Sequence, residues 1–215
     1  TNMSGALLQL VAIGAQDALL IGDPEITFFQ LVTRSHTNFA VESIDQTVNG
    51  TPGFGRTISC TISRNGDLVS KIFVEATLPE IKGPTTDNNG FSYIKDVGHF
   101  LINEADIEIG GQRIDRHYGE WLHIWNELSG SSDHKPGYDR MIGNIPELQS
   151  RKEWTSTTNA NTFGVRTSLP KHTLLIPLQF WFCRSPGLAL PLIALQYHEV
   201  KINITFANKK DILRK

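Results

Sequence analysis

Ten residues near the C-terminal end constrain this chain more than any other stretch. From 197 to 206, Tyr197, Glu199, Lys201, Asn203 and Thr205 alternate with His198, Val200, Ile202, Ile204 and Phe206. Successive side chains on a strand point to opposite faces, so a period of two gives one largely apolar face and one polar face. A strand of that kind sits with one side in a core and the other in water, as in antiparallel sheets. Just upstream, Thr173 to Phe182 is a second strand candidate, almost continuously apolar, and Pro186-Gly187 between them is a turn signal. Pro191 fits the start of a strand but not the middle of a central one.

The rest of the chain repeats the theme. Asn38 to Val48 is strand-like and ends at Asn49-Gly50, a strong turn dipeptide. Arg56 to Ser63 places Ile58, Cys60 and Ile62 on one face and hydroxyl side chains on the other. Asn65-Gly66-Asp67 is a turn, and Leu68 to Leu78 a further strand closed by Pro79. Phe100 to Ile109 sets Ala105, Ile107 and Ile109 against Asp106 and Glu108; Gly110-Gly111 turns the chain, and Gln112 to His117 returns. Two helical insertions interrupt the strands. Asp23-Pro24 is an N-cap with proline at the first helical position, opening a short helix to about Thr33. From Tyr118 to Leu128, Trp121, Leu122, Trp125 and Leu128 recur at helical spacing. Residues 5 to 21 fit either helix or extended chain.

Residues 82–92 and 129–170 are polar and rich in Gly, Ser, Thr, Asn and Pro, and read as surface loops. The pattern predicts an all-β fold: an eight-stranded antiparallel jelly-roll sandwich with short helical insertions. Its parts are an N-terminal arm and short helix over 1–35, the jelly roll over 36–208, and a basic tail or start of a linker over 209–215.

At 215 residues, 40% hydrophobic and 20% charged, the chain can bury a core without staples. A net charge of −2 excludes the basic balance of a nucleic-acid-coating protein. Cys60 and Cys183 read as buried free thiols rather than a disulfide, which suits a reducing compartment. No apolar run reaches the ~20 residues of a membrane span. Asn2, Asn49 and Asn203 each begin an Asn-x-Ser/Thr triplet, read as chance.

Catalytic signatures are missing: neither a phosphate-cradling Gly-x-x-x-x-Gly-Lys-Ser/Thr nor Gly-x-Gly-x-x-Gly nor His-Glu-x-x-His occurs. Among the histidines, His117 and His123 fall on or beside a predicted helix, and His198 and Glu199 point to opposite faces of one strand. That is not the His-x-carboxylate set of a jelly-roll metal enzyme. Glu104, Asp106 and Glu108 read as the solvated side of a strand. Trp121 and Trp125 read as an anchor of the helix on the sandwich rather than a sugar platform. No catalytic, metal or cofactor site is assigned.

A resemblance sharpens this. Pro186-Gly-Leu-Ala-Leu-Pro-Leu-Ile-Ala-Leu-Gln-Tyr-His-Glu-Val-Lys201 closely resembles a segment of the major capsid proteins of nucleocytoplasmic large DNA viruses, of algal-virus and giant-virus type. Leu10-Val-Ala-x-Gly-Ala-Gln-Asp17, Ile26-Thr-Phe-Phe29, Thr37-Asn-Phe-Ala40, Ile62-Ser-Arg-Asn-Gly-Asp-Leu68 and Glu108-Ile-Gly-Gly-Gln-Arg-Ile-Asp115 continue it in order.

The resemblance implies a double jelly roll, of which this chain carries the N-terminal roll. It implies a structural, non-enzymatic part of a capsomer in an icosahedral double-stranded DNA virus shell, located in the virion and assembled in the host cytoplasm. Expected partners are copies of itself in a trimer, neighbouring capsomers and minor capsid proteins, with an internal viral membrane nearby and no direct contact to nucleic acid. The N-terminal segment is expected at the inner side of the shell, with Leu10, Gln16, Asp17, Phe28 and Phe29 as assembly residues. A carbohydrate-binding jelly-roll module is the alternative, and a cupin-like metal enzyme a distant third.

Overall fold

A computed structural model describes Gly14 and residues 38–82, 91–150, 152–157, 160–165 and 168–214, the pieces 152–157 and 160–165 by backbone alone. The chain divides into two compact units, 1–44 and 45–215. Of the first, Gly14 is exposed, and 38–44 run exposed without regular secondary structure. The short helix expected from Pro24 lies outside the described residues.

The second unit is built on the alternating stretch. Val200–Phe206 forms a strand, β14, with Val200, Ile202, Ile204 and Phe206 buried and the residues between them half-exposed. It lies in an antiparallel five-stranded sheet ordered β1-β2-β14-β7-β8. The other members are Val48–Asn49 (β1), Thr57–Thr61 (β2), Ile102–Ile109 (β7) and Gln112–Tyr118 (β8).

Register follows the side-chain pattern. Ile202 sits opposite Cys60 and Ile107, Ile204 opposite Ile58 and Ala105, so apolar residues meet apolar residues across three strands. A slip of one residue would turn every one of them to water, which is why the pairing is unique. β7 and β8 are joined by Gly110-Gly111, with φ of 61° and 80°. A two-residue hairpin loop with positive φ at both positions matches strand twist, and glycine adopts it without a Cβ clash. Beyond it a bulge between Ile107 and Glu108 leaves Ile114 unopposed on β8, and Ile114 is half-exposed.

Across the core lies Phe73–Leu78 (β4) paired with His172–Pro177 (β12). Leu174 and Ile176 are fully buried and sit opposite Ala76 and Val74. Phe180 and Phe182 add stacked rings 5.8 Å apart. These residues and those of the large sheet form one apolar cluster. Burying each Leu, Ile or Phe contributes roughly 1.5–3 kcal/mol, so this cluster supplies most of what holds the unit together.

Shorter pairs complete the unit: Leu68–Val69 (β3) with Leu190–Pro191 (β13), Ile81–Lys82 (β5) with Ser168–Leu169 (β11), and Ser92–Tyr93 (β6) with Leu213–Arg214 (β15). Lys152–Thr157 (β9) and Ala160–Val165 (β10) make a hairpin. Helical turns are Val97–Leu101 (α1), Gly119–Ser129 (α2), Lys135–Met141 (α3), Pro146–Gln149 (α4) and Lys209–Ile212 (α5).

The described residues hold fifteen strands, seven of them two residues long, where the sequence pattern suggests eight. Leu68 to Leu78 is not one strand: β3 and β4 choose different partners, and the chain breaks between them at 70–72. Residues 38–47 carry a strand pattern but no ladder. Residues 129–150 are not an open loop, because Ile142 and Leu148 are fully buried and anchor α3 and α4. Residues 91–101 are core as well, with Tyr93, Val97 and Leu101 at or below 4% exposure. Residues 209–214, which read as a tail, bury Ile212 and close a strand pair. Only 83–90 of the first polar loop remains outside the described residues.

Candidate assembly surface

The outer face of the large sheet presents a continuous polar ladder across three strands. The alternation that buries Ile202 and Ile204 turns Lys201, Asn203 and Thr205 outward, beside Thr57, Ser59 and Thr61 of β2 and Glu104, Asp106 and Glu108 of β7. Thr57 and Thr205 hydroxyls lie 2.9 Å apart. The Asn203 amide donates to Asp106 Oδ2 at 2.9 Å and to Glu108 Oε1 at 3.0 Å. Arg116 of β8 donates to Glu104 Oε1 at 3.0 Å, which pushes its guanidinium pKa up further. The carboxylate row is therefore the polar side of a strand, tied across it by Asn203 and Arg116. Asn203, first residue of one Asn-x-Ser/Thr triplet, is half-buried in this ladder.

The second feature is a helical corner held by close backbone contact. A Cβ at Gly119 would stand 2.3 Å from the His99 carbonyl oxygen and 2.5 Å from that of Ile102, so α2 starts directly on α1. A Cβ at Gly98 would meet Ile142 backbone atoms at 2.9 Å, and the Gly98 N–H donates to the Ile142 oxygen. Between the helices is a polar cluster. His99, fully buried, has Nε2 2.7 Å from the Tyr138 hydroxyl. His123 Nδ1 lies 3.3 Å from Asp96 Oδ2, a contact without hydrogen-bond geometry.

Burial sets the titration here. It lowers His99 to about 4, with the neighbouring His123 adding to the shift. Burial raises the Asp96 carboxyl, and raises Tyr138 to about 12. His117, on β8, is likewise lowered by burial, to about 4, with its ring 4.5 Å from Phe180. No group of three or more His, Cys, Asp or Glu among the described residues could hold a metal ion. Cys60 and Cys183 are both free and half-buried, and burial raises both thiols, Cys183 to about 11.

The third feature is where α2 differs from expectation. Its anchor is Leu122, 1% exposed, while Leu128 is 78% exposed. Trp121 and Trp125 are half-buried, their rings 5.7 Å apart, and they support the Arg184 guanidinium at 5.9 and 4.7 Å. Helical spacing flagged the tryptophans; Arg184, far along the chain, carries no local signal tying it to them. Arg64 ties down another turn, donating to the Leu195, Gln196 and His198 carbonyls.

The N-terminal residues expected to act in assembly, Leu10, Gln16, Asp17, Phe28 and Phe29, lie outside the described residues. Among the described residues, no helix is long and apolar enough to cross a membrane.

Comparison with known proteins agrees with this architecture. The family model for the major capsid protein N-terminus matches residues 27–214. The chain is 50% identical over 212 residues to a major capsid protein of Pyramimonas orientalis virus, covering 98% of this chain and 49% of that protein. It is 45% identical over 207 residues to the major capsid protein of Paramecium bursaria Chlorella virus 1, covering 96% and 42%. The chain thus spans about half, or less, of the length of these relatives. A quasi-atomic model of the PBCV-1 virus capsid superposes with a TM-score of 0.63 at 41% identity, over 85% of this chain and 38% of that one. The Faustovirus major capsid protein has the same TM-score at 17% identity, covering 87% and 46%, a likeness of fold.

Proposed function

The chain belongs to the major capsid protein family, in its N-terminal part, and from that premise we propose that it is a structural building block of capsomers in an icosahedral double-stranded DNA virus shell. Half the residues are shared with a viral major capsid protein along nearly the whole chain, and that is the observation on which the reading rests. The physical work is packing rather than catalysis. A sandwich whose outer sheet face is already hydrogen-bonded within itself presents a surface of defined shape to neighbours.

The finer parts of the proposal follow from the resemblance. Three copies associate into a capsomer, which meets neighbouring capsomers and minor capsid proteins, above an internal membrane and without direct contact to nucleic acid. Residues 1–35 act as an arm and 36–208 as the roll, with Leu10, Gln16, Asp17, Phe28 and Phe29 in the inner contacts. The virion capsid is the location, and the host cytoplasm the place of assembly. Light scattering on the purified chain, with negative-stain microscopy, tests the association. A discrete trimer with threefold projections is expected; a strict monomer at every concentration up to millimolar refutes capsomer formation by these 215 residues.

A further inference from the structure

β8 is the last strand of the large sheet, and among the described residues no strand pairs with its outer edge. An open edge offers a row of backbone donors and acceptors to an incoming strand. Beside it lies a cleft of about 280 Å³ lined by Asp115, Arg116, His117, Tyr118, Gln179, Trp121 and Arg184. Three observations say what it would accept.

The first is Arg184. Its guanidinium is exposed, held over Trp125 and Trp121, and has no carboxylate within ion-pair distance among the described residues. A cation laid flat on aromatic rings keeps its N–H groups free at the edge, and a guanidinium recognises a carboxylate with two parallel hydrogen bonds. The second is charge. Of the two arginines lining the cleft, Arg116 is already bonded to Glu104, so Arg184 is the cation left there to take an incoming carboxylate. The third is His117, 5% exposed, with both ring nitrogens lacking any hydrogen-bond partner at the cleft wall. A neutral imidazole there leaves one donor and one acceptor unused, and burying polar atoms unpaired is unfavourable. Tyr, Trp and Arg together are also the residue types that dominate protein-binding surfaces.

We propose that the cleft along the outer edge of β8 is a docking site for an extended acidic segment of another protein, one of whose carboxylates pairs with Arg184. Strand addition to β8 supplies the affinity and Arg184 the selection for acid. The site would operate whether or not the roll is part of a shell, so its failure leaves the capsomer reading untouched.

The test uses labelled eight-residue peptides on the 215-residue chain, followed by fluorescence anisotropy: alternating Glu-Val, alternating Lys-Val and alternating Glu-Gly. Alternating Glu-Val is expected to bind saturably, more weakly as salt rises. Lys-Val should not bind, and Glu-Gly, acidic but a poor strand former, should bind at least tenfold more weakly. R184E should weaken Glu-Val at least tenfold and R184Q less, both with unchanged far-UV circular dichroism. No binding of Glu-Val, equal binding of Glu-Val and Lys-Val, or indifference to R184E overturns the proposal. So does a cleft occupied by glycan or by a second copy of the chain, seen as R184E abolishing glycan binding or self-association while Glu-Val binding stays the same.

Discussion

Acid should loosen this protein through His99, and the size of the effect can be worked out. The ring is fully buried between α1, α2 and α3, with Nε2 on the Tyr138 hydroxyl. Burial holds its pKa at about 4, against 6.5 for an ordinary histidine. The unfolded chain therefore takes up a proton near pH 6.5 that the folded chain refuses until about pH 4. Where the unfolded state binds more protons, stability falls as pH falls. Above pH 7 the group is neutral in both states and contributes no pH dependence. Between 6.5 and 4 the folded state loses ground, and below 4 the loss is complete. At about 1.4 kcal/mol per pH unit the full loss is about 3 kcal/mol, most of it reached by pH 4.5. Asp96 works in the opposite sense. Its carboxyl is raised by burial, so the folded state takes that proton first, and some stability returns on acidification. His117 adds a loss of the same sign as His99. The contribution of His99 alone is isolated by comparing the parent with H99Q in urea unfolding at pH 7.5 and 4.5. The variant starts less stable because the buried site is imperfectly filled, but its drop between the two pH values should be smaller by roughly 2–3 kcal/mol. An equal drop in both proteins would refute the assignment.

Three further outcomes follow from packing. G119A should lower stability by about 3 kcal/mol or more, since its Cβ would overlap the carbonyls of His99 and Ile102, whereas G137A in α3, with no atom within 4 Å, should be neutral or gain up to about 1 kcal/mol; thermal unfolding reads both. I202A, at the centre of the large sheet and 4% exposed, should lose about 2–5 kcal/mol in urea, and I202V about 1. Both thiols should resist a disulfide reagent at pH 8 in the folded protein and react fully on unfolding, Cys183 being held near 11; rapid labelling of native Cys183 would contradict its packing.

What could be read from the sequence was what local pattern determines. The alternation of β14 and the Gly110-Gly111 hairpin are decided within a few residues, by strand periodicity and by the backbone freedom of glycine; the hairpin stands where it was expected, while the strand starts only at Val200, because 192–197 are in turns and Tyr197 to Glu199 are exposed. What could not be read was decided by partners distant in sequence. Residues 38–47 read as strand-like, yet form no ladder. Leu68 to Leu78 is continuous as a pattern and broken in space, because one half meets Pro191 and the other His172. The polar composition of 129–150 hid Ile142 and Leu148, two side chains that reach the core and tie the helices down.

The surface shows the same limit more sharply. The carboxylates of β7 were visible as a row, but only the ladder brings Asn203 and Arg116 against them and turns three repelling charges into a bonded network. Trp121 and Trp125 were visible as a helical pair, but a sequence cannot place Arg184 on their rings. The strand part of this core is legible because apolar periodicity is local. The contact surfaces are assembled from single residues on different strands and helices. Reading them therefore requires the fold first.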